Sequence, residues 1–268
     1  MALAGLALGA STALAEAPIA CAVAQGGAGK VVKIIGPLEL QLDDGIKVAL
    51  SEIGAPPRNK DRPGADIASA VLAREALGKR VTLYFDGGQT DRHGRALAQV
   101  WIEGAAEPWL QRLLVTQGAA YVDTWPTNRA CAGDLLARES EARSAAHGLW
   151  ADPANRILSA ENAKDGEGRF AIVEGNVVSV TKVSNPTRIY IDFGPDWHTD
   201  FSVSIDGAAA RLFKSAKIDP DDWKGKGVRV RGYVGWRFGP EIEVQSPEQI
   251  ELIKSVTARA EPAQEDSE

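Results

Sequence analysis

The chain has 268 residues, of which 44% are hydrophobic and 25% charged, a composition typical of a soluble globular protein long enough for two domains. It holds 36 Asp and Glu against 30 Lys and Arg, a formal net charge of −6. This balance excludes a strongly basic protein that binds nucleic acid mainly by neutralising phosphates. Residues 161–268 alone carry 14 Lys and Arg against 19 Asp and Glu, so most of the acidity lies in the second half.

The N-terminal segment has the pattern of an export signal. Residues 3–14 form an apolar run, and Ala13-Leu14-Ala15 is a small-x-small cleavage site before Glu16. We therefore predict a signal peptide over 1–15, cleaved after Ala15, and a periplasmic or secreted mature protein. No stretch reaches the roughly 20 apolar residues that a transmembrane helix needs, so no transmembrane segment is predicted.

The chain contains two cysteines, Cys21 and Cys131. In an oxidising compartment an even number of cysteines indicates disulfides, here one bond tying an N-terminal arm (16–29) to the end of the first domain. Two unrelated buried thiols are one alternative. Lipidation of Cys21 is another, but Pro18 stands where an apolar residue is usual.

The first domain is predicted over 30–151 as a small barrel with three helices. Alternating apolar residues and turn signals predict strands at 31–35, 38–42, 46–50, 81–85 and 96–101. Helices are predicted at 65–77, from Pro108 to before Gly118, and at 132–147. Five strands with three helices fit a closed barrel of the oligonucleotide/oligosaccharide-binding (OB) type.

The loop DGGQTDRHGR, residues 86–95, joins two of these strands and carries a basic pair. Its end, Asp91, Arg92, His93, Gly94 and Arg95, resembles the DKYGR loop of the staphylococcal nuclease (thermonuclease) family. The ending ESEARSAAHGLW, residues 139–150, resembles the last helix of that family, and the likeness extends from about Lys30 to Trp150. The resemblance implies a calcium-dependent phosphodiesterase with two Asp ligands, a Glu base and two Arg that clamp phosphate.

Most of these implied roles lack their residue in this chain. Gly36, Pro37 and Leu38 stand at the first Asp position, Ala49 at the first Arg, and Gly54-Ala55-Pro56-Pro57 at the corner of the second Asp and the Glu. The second Arg is present as Arg95, which we interpret as a vestigial phosphate clamp. No metal site and no cofactor is predicted, although calcium is expected for the family, because its ligands are absent.

Two further residues of this domain are candidate substrate-binding residues. Arg92 is the basic neighbour of Arg95, and Tyr121 falls where the family places an aromatic ring beside the nucleotide. For both arginines the alternatives are a solvated turn or pairing with Asp86 and Asp91, since an exposed pair contributes little. For Tyr121 the alternative is core or edge packing.

A linker is predicted over 152–168, a second OB-like five-stranded barrel over 169–256 and an acidic disordered tail over 257–268. Strands are expected at 171–181, 188–193, 201–205, 228–236 and 241–244, with a helix at 208–217. The fold class is thus α+β and mostly β. Arg229, Arg231 and Tyr233 share one strand face, as in proteins that bind single-stranded nucleic acid, although a solvated or protein-facing surface has the same pattern.

These observations favour an exported thermonuclease-family protein with an impaired or inactive site that binds nucleic acid or phosphate or acts as an interaction module. Its predicted partners are single-stranded nucleic acid or nucleotides, bound weakly, or an envelope protein. One alternative is an active or weak calcium-dependent phosphodiesterase, in which Glu39 or Glu52 replaces the lost acids. The other is a structural envelope module.

Overall fold

A computed structural model describes residues 19, 21, 23–56 and 64–254 of the chain. The predicted signal peptide and acidic tail lie outside the described residues. Two hydrophobic cores are present, one built from residues between 19 and 135 and the other from residues between 158 and 244. Within the described part of the chain, no helix combines the length and apolar character needed to cross a bilayer.

The elements of the first half alternate short strands with three helices. In chain order they are β1 (Ala24–Gly36), β2 (Glu39–Leu42), β3 (Lys47–Leu50), β4 (Ile53–Gly54), α1 (Gly64–Glu75), β5 (Arg80–Phe85), β6 (Ala96–Ile102), α2 (Leu110–Thr116), β7 (Tyr121–Val122) and α3 (Ala132–Ser144).

Five of these strands close into a barrel in the order β1-β2-β3-β6-β5. All neighbours are antiparallel except β3 and β6, which run parallel. The remaining short strands, β4 and β7, pair with each other outside the barrel. This confirms the predicted α+β, mostly β fold with an OB-type barrel.

Strand β1 begins seven residues before the predicted strand, inside the glycine-rich segment expected to be an arm. Its early part pairs with β5, with Ala24 opposite Phe85. A Cβ on Gly26 would lie 2.2 Å from the Phe85 ring, so the absence of a side chain allows this close approach. The glycines therefore belong to the sheet rather than to a separate arm.

The disulfide prediction is confirmed. Cys21 bonds to Cys131 with their Cα atoms 5.0 Å apart, and the bond closes a segment of 110 residues. Cys131 is almost fully buried and immediately precedes α3. The N-terminal segment is thereby attached to the start of the last helix of the first domain.

The second half contains β8 (Leu158–Ser159), β9 (Phe170–Asn176), β10 (Ser179–Ser184), β11 (Thr187–Asp192), β12 (Ser202–Asp206), α4 (Gly207–Ser215), β13 (Gly227–Trp236), β14 (Pro240–Val244) and β15 (Ile250–Ile253). Short 3-10 helices lie at Gly148–Ala151, Pro153–Asn155, Ala160–Gly166, Pro220–Trp223 and Pro247–Gln249.

The second half, predicted as a five-stranded barrel, forms an eight-stranded sheet whose central pairings repeat those of the first barrel, and we call this unit the second barrel. Its order is β10-β11-β12-β14-β13-β9-β8, with β15 added to β13. The single predicted strand 171–181 is divided into β9 and β10, because Val177 bonds to Lys226 while Val178 bonds to Asp192 on the other side. Together, β9 and β10 correspond to the single strand β1. β9 pairs with β13 as β1 pairs with β5, and β10 pairs with β11 as β1 pairs with β2. The parallel β12-β14 pair matches β3-β6.

The segment 152–168 is not an open linker. It contains β8, which runs parallel to β9, and the 3-10 helix Ala160–Gly166. Leu158 and Ala163 are buried in the second core. Apolar side chains at these positions anchor the segment, whereas the polar residues beside them indicate a linker.

Candidate functional site

The loop between β5 and β6 is fixed by the carboxylate of Asp91. The Asp91 Oδ1 atom accepts hydrogen bonds from the backbone N–H groups of His93, at 2.8 Å, and Arg95, at 3.0 Å. Gly94 has φ 72°, a conformation that favours glycine, and donates its N–H to the Asp91 carbonyl at 3.0 Å. The sequence D-x-x-G-R therefore folds into a tight turn that aims Arg95.

The Arg95 guanidinium lies between two carboxylates. Its Nη2 is 2.6 Å from Asp91 Oδ2, and its Nη1 is 2.9 Å from Glu39 Oε2. Burial raises the pKa of Asp91, but the hydrogen bonds from the Arg95 side chain and from the loop backbone outweigh it and lower that pKa. Burial likewise disfavours the charge on Arg95, whereas both carboxylates favour it and raise its pKa. The predicted phosphate clamp is thus neutralised within the protein.

Arg92 is placed differently from Arg95. It is exposed at the turn, and its Nε is 3.2 Å from the His93 Nε2. The described part of the chain gives Arg92 no ion pair with a carboxylate. Of the two loop arginines, Arg92 is the one whose guanidinium is accessible to a ligand.

The neighbours of Arg95 do not fit a calcium ion, which takes about six to eight oxygen ligands. Glu39 lies opposite Ala49 in the β2-β3 pair, so the position implied for the first arginine faces an acid across the sheet. Among the described residues, no three His, Cys, Asp or Glu side chains are grouped to hold a metal. Gly54 and Ala55 bring no oxygen-bearing side chain, and Pro57 lies outside the described residues.

A second pair of acids, Glu52 and Asp86, lies inside the first domain. Glu52 is 1% exposed, and its Oε1 accepts hydrogen bonds from the Cys131 N–H at 2.9 Å and the Gln99 amide at 3.2 Å. Burial, followed by the hydrogen bond and charge of Asp86, raises the pKa of Glu52 to about 9. Glu52 is therefore protonated at neutral pH, and neither it nor Glu39, bound to Arg95, has the accessibility expected of a substitute base.

Tyr121 lies between the two barrels. Its ring stacks on Phe170 at a centroid distance of 3.8 Å and an interplanar angle of 14°. Its hydroxyl is 3.3 Å from the Ala55 carbonyl and 3.5 Å from the Tyr233 hydroxyl. The ring is 4% exposed, so packing, the alternative considered for Tyr121, describes its position better than substrate binding does.

Arg231 is likewise unavailable to a ligand, although it shares a strand face with Arg229 and Tyr233. It is 1% exposed because Val122 and Glu139 of the first domain, together with Glu251 of β15, surround its guanidinium. Its Nη1 donates to Glu139 Oε2 at 2.6 Å, and its Nη2 donates to Glu251 Oε1 at 2.7 Å. The alternation pattern correctly predicted the shared face, whereas the substrate-binding interpretation of Arg231 is wrong in this structure.

Arg229 and Tyr233 flank the buried arginine. Arg229 is partly exposed and pairs with Glu174 at 2.6 Å and with Glu251 at 3.6 Å. Tyr233 is more than half exposed and packs its ring edge against Phe170. The structure therefore separates the predicted substrate-binding residues into an exposed Arg92, a paired Arg229, an exposed Tyr233 and two buried contacts between the domains.

These contacts were not visible in the local sequence. Glu139 lies on α3 and is fully buried. Its Oε2 accepts hydrogen bonds from the Arg231 guanidinium and from the Val122 N–H. An acidic side chain on a helix is more often solvated than buried. The only sequence signal for its burial is its place between apolar helix positions.

An OB-type barrel with a D-x-x-G-R turn that orients an arginine defines a protein of the staphylococcal nuclease class. The family model described as staphylococcal nuclease homologue matches residues 47–152. Protein ParB of Escherichia coli is 33% identical over 137 residues, which cover 47% of this chain and 73% of that protein. The chain belongs to the staphylococcal nuclease homologue family.

Proposed function

We propose that this chain is an exported member of the family with an impaired hydrolytic site, in which the loop 86–95 binds phosphate groups of single-stranded nucleic acid. The observation that carries the impaired hydrolytic site is the pairing of Arg95 with Glu39 and Asp91 at 2.9 and 2.6 Å. A guanidinium that already holds two carboxylates contributes little additional positive charge to a developing phosphate transition state.

The accessible Arg92 supports a residual binding role. An arginine recognises phosphate through charge-assisted, often bidentate hydrogen bonds. The net charge of the whole chain is −6, so such binding is weak and falls as salt increases. The disulfide between Cys21 and Cys131 supports an oxidising compartment, in agreement with the proposed export.

The experiment compares cleavage and binding in the same preparation. Single-stranded DNA and RNA are incubated with the protein in calcium and in chelator, and oligo(dT) binding is followed by fluorescence anisotropy. We expect no calcium-dependent cleavage, together with weak, salt-sensitive binding that is reduced in Arg92→Ala. Arg138→Ala, which removes an exposed arginine paired with Glu141 on α3, is the control and should bind as the wild type does.

Two results contradict the proposal. Calcium-dependent cleavage that is abolished by Arg95→Ala would identify the chain as an active phosphodiesterase. Absence of nucleic-acid binding at every salt concentration would instead favour a module that interacts with envelope proteins.

A further inference from the structure

The exposed aromatic side chains of this protein are concentrated on one surface. Within the described part of the chain, five Trp, Tyr or Phe side chains are more than half exposed, and all five line two adjoining pockets. They are Trp125, Trp197, Tyr233, Trp236 and Phe238. Exposing so many rings together costs solvation free energy, and such patches commonly mark binding surfaces.

The two pockets form one groove across the second barrel. The first, of about 660 Å³, lies between residues 123–125 of the first domain and the strands β13 and β14. The second, of about 450 Å³, lies over β10 and β11 beside the β13-β14 turn. Because both are lined by Arg237 and Glu241, they adjoin, and we call them together the aromatic groove.

The rings at the far end of the aromatic groove support one another. Trp197 meets Phe238 edge to face at a centroid distance of 5.4 Å and lies 3.5 Å from the His198 ring. Pairs of this geometry are favourable. The cluster therefore holds aromatic faces in place while leaving them open to solvent.

The charged side chains of the groove are mainly acidic. The carboxyl groups are those of Asp123, Asp192, Glu241 and Glu243, against the guanidinium groups of Arg188 and Arg237. Arg188 lies 4.0 Å from Glu243, which leaves Arg237 as the cation without a carboxylate partner within ion-pair distance among the described residues. A surface with this balance repels a chain of phosphates, which depends on positive charge for its affinity.

Asp123 adds a carboxyl group suited to an uncharged ligand. It lines the first pocket beside Trp125, and burial raises its pKa to about 6 although the charge of Arg231 opposes the shift. At about pH 6 it therefore exchanges between an acceptor and a donor, both of which a hydroxyl group can satisfy.

We propose that the aromatic groove binds a neutral oligosaccharide. OB barrels bind oligonucleotides and oligosaccharides on the face of their second and third strands and on the loop between the last two strands. In the second barrel these are β11, β12 and the β13-β14 turn, which contribute residues to the groove. In this chain the acidic lining favours an oligosaccharide over an oligonucleotide. Aromatic rings stack on the C–H faces of sugars, and the carboxylates accept hydrogen bonds from sugar hydroxyl groups. The groove is separate from the loop 86–95. A negative result for sugar binding therefore does not affect the proposed phosphate binding, and the reverse is also true.

The test titrates the full chain with chitohexaose, cellohexaose and maltohexaose, using tryptophan fluorescence and calorimetry. We expect at least one of them to bind with an affinity that does not change between low and high NaCl concentrations. Trp197→Ala and Phe238→Ala should each weaken this binding about tenfold or more, as expected when an aromatic anchor is removed. Leu252→Ala, which removes an exposed apolar side chain outside the groove, should leave it unchanged.

Glu241→Gln gives a second measure, because it preserves the shape of a residue shared by both pockets. Loss of its charged hydrogen bonds should weaken binding about tenfold, whereas Arg92→Ala should have no effect. Failure of all three oligosaccharides to bind would overturn the proposal. So would competition by oligo(dT), by an arginine-rich peptide or by anionic lipid vesicles that is sensitive to the same groove variants and to salt.

Discussion

Glu52 is buried beside a second carboxyl group, Asp86, and its backbone has φ 62°. A non-glycine residue in this region carries conformational strain of about 1–3 kcal/mol, which the surrounding structure must hold in place. The hydrogen bonds from the Cys131 N–H and the Gln99 amide fix its carboxyl group. Burial and the neighbouring Asp86 outweigh these two hydrogen bonds, which favour the ionised form, and so favour the neutral acid in the folded protein; the protonation of Glu52 therefore links stability to pH.

The sign of this linkage follows from a pKa that the fold raises from 4.5 to about 9. The contribution of Glu52 is complete below pH 4.5 and is lost as pH rises towards about 9, because only the unfolded chain is ionised between these values. Each pH unit in this window costs ~1.4 kcal/mol at most. We predict that Glu52→Gln, which resembles the neutral acid, has a melting temperature that falls less between pH 5 and pH 9 than that of the wild type.

Thermal unfolding followed by circular dichroism at several pH values tests this prediction. Glu103→Gln is the matched control, since Glu103 is exposed and pairs only loosely with Arg80 at 3.4 Å. The control should keep the pH dependence of the wild type. Identical slopes for Glu52→Gln and wild type would contradict the assigned protonation of Glu52.

At the scale of the elements, α3 is attached at its start to a distant part of the chain. Cys131 precedes the helix and bonds to Cys21, which lies ahead of β1. Closing a segment of 110 residues restricts the unfolded chain strongly. The helix and the long first strand are therefore held together in the unfolded state as well as in the folded one.

We predict that Cys21→Ser lowers the free energy of unfolding by about 3–5 kcal/mol, the range expected for a bond closing so long a loop. Urea unfolding with and without reductant measures the effect. Reductant should lower the stability of the wild type towards that of the variant and leave the variant unchanged. Two free thiols in the native protein, detected by alkylation and mass measurement, would be the contradicting result.

Much of the first barrel could be predicted because its elements carry local signals. The predicted strand 96–101 corresponds to β6 (Ala96–Ile102), and the predicted helix 132–147 to α3 (Ala132–Ser144). The helix ends early because Ala146 adopts a left-handed conformation, φ 51°, and the N–H groups of Ala146 and His147 turn back to the Arg143 and Ala142 carbonyls. Just beyond this end, a Cβ added to Gly148 would lie 2.3 Å from the Gly118 carbonyl oxygen. That constraint joins two distant turns, and no periodicity reveals it.

The candidate site was predictable only in part, for the same reason. The turn held by Asp91 is local, so its sequence indicates its form. The pairing of Arg231 with Glu139 joins residues 92 positions apart on different domains, and each residue alone has the pattern of a solvated charge. Burial of both follows from the docking of the two barrels, which a single sequence does not specify.

At the scale of the whole molecule, the two barrels are joined by a buried polar and aromatic interface. Arg231 enters the first domain to reach Glu139, Tyr121 stacks on Phe170, and the Thr124 and Ser246 hydroxyl groups are 2.8 Å apart. Burial disfavours the charged form of Arg231, but Glu139 and Glu251 outweigh this effect, raise the pKa of Arg231 and keep it ionised. Removing one partner of such a group leaves the others buried and uncompensated.

We predict that the wild type unfolds in one calorimetric transition and that Arg231→Met loses about 3–5 kcal/mol and separates the unfolding of the two barrels. Arg138→Met, in which the lost ion pair with Glu141 is exposed, is the control and should change stability by less than about 1 kcal/mol. Differential scanning calorimetry distinguishes the cases. An Arg231→Met protein that melts as the wild type does would show that the interface contributes little.

The bond between Cys21 and Cys131 also determines how the molecule responds to proteolysis. Any single cleavage of the chain between these two residues leaves both fragments covalently connected. When the cut falls between β1 and Cys131, the fragment that contains β1 remains attached to the one that carries α3 and the second barrel. Cleavage increases the mass of the connected protein by only one water molecule. The two fragments separate only when the protein is both denatured and reduced.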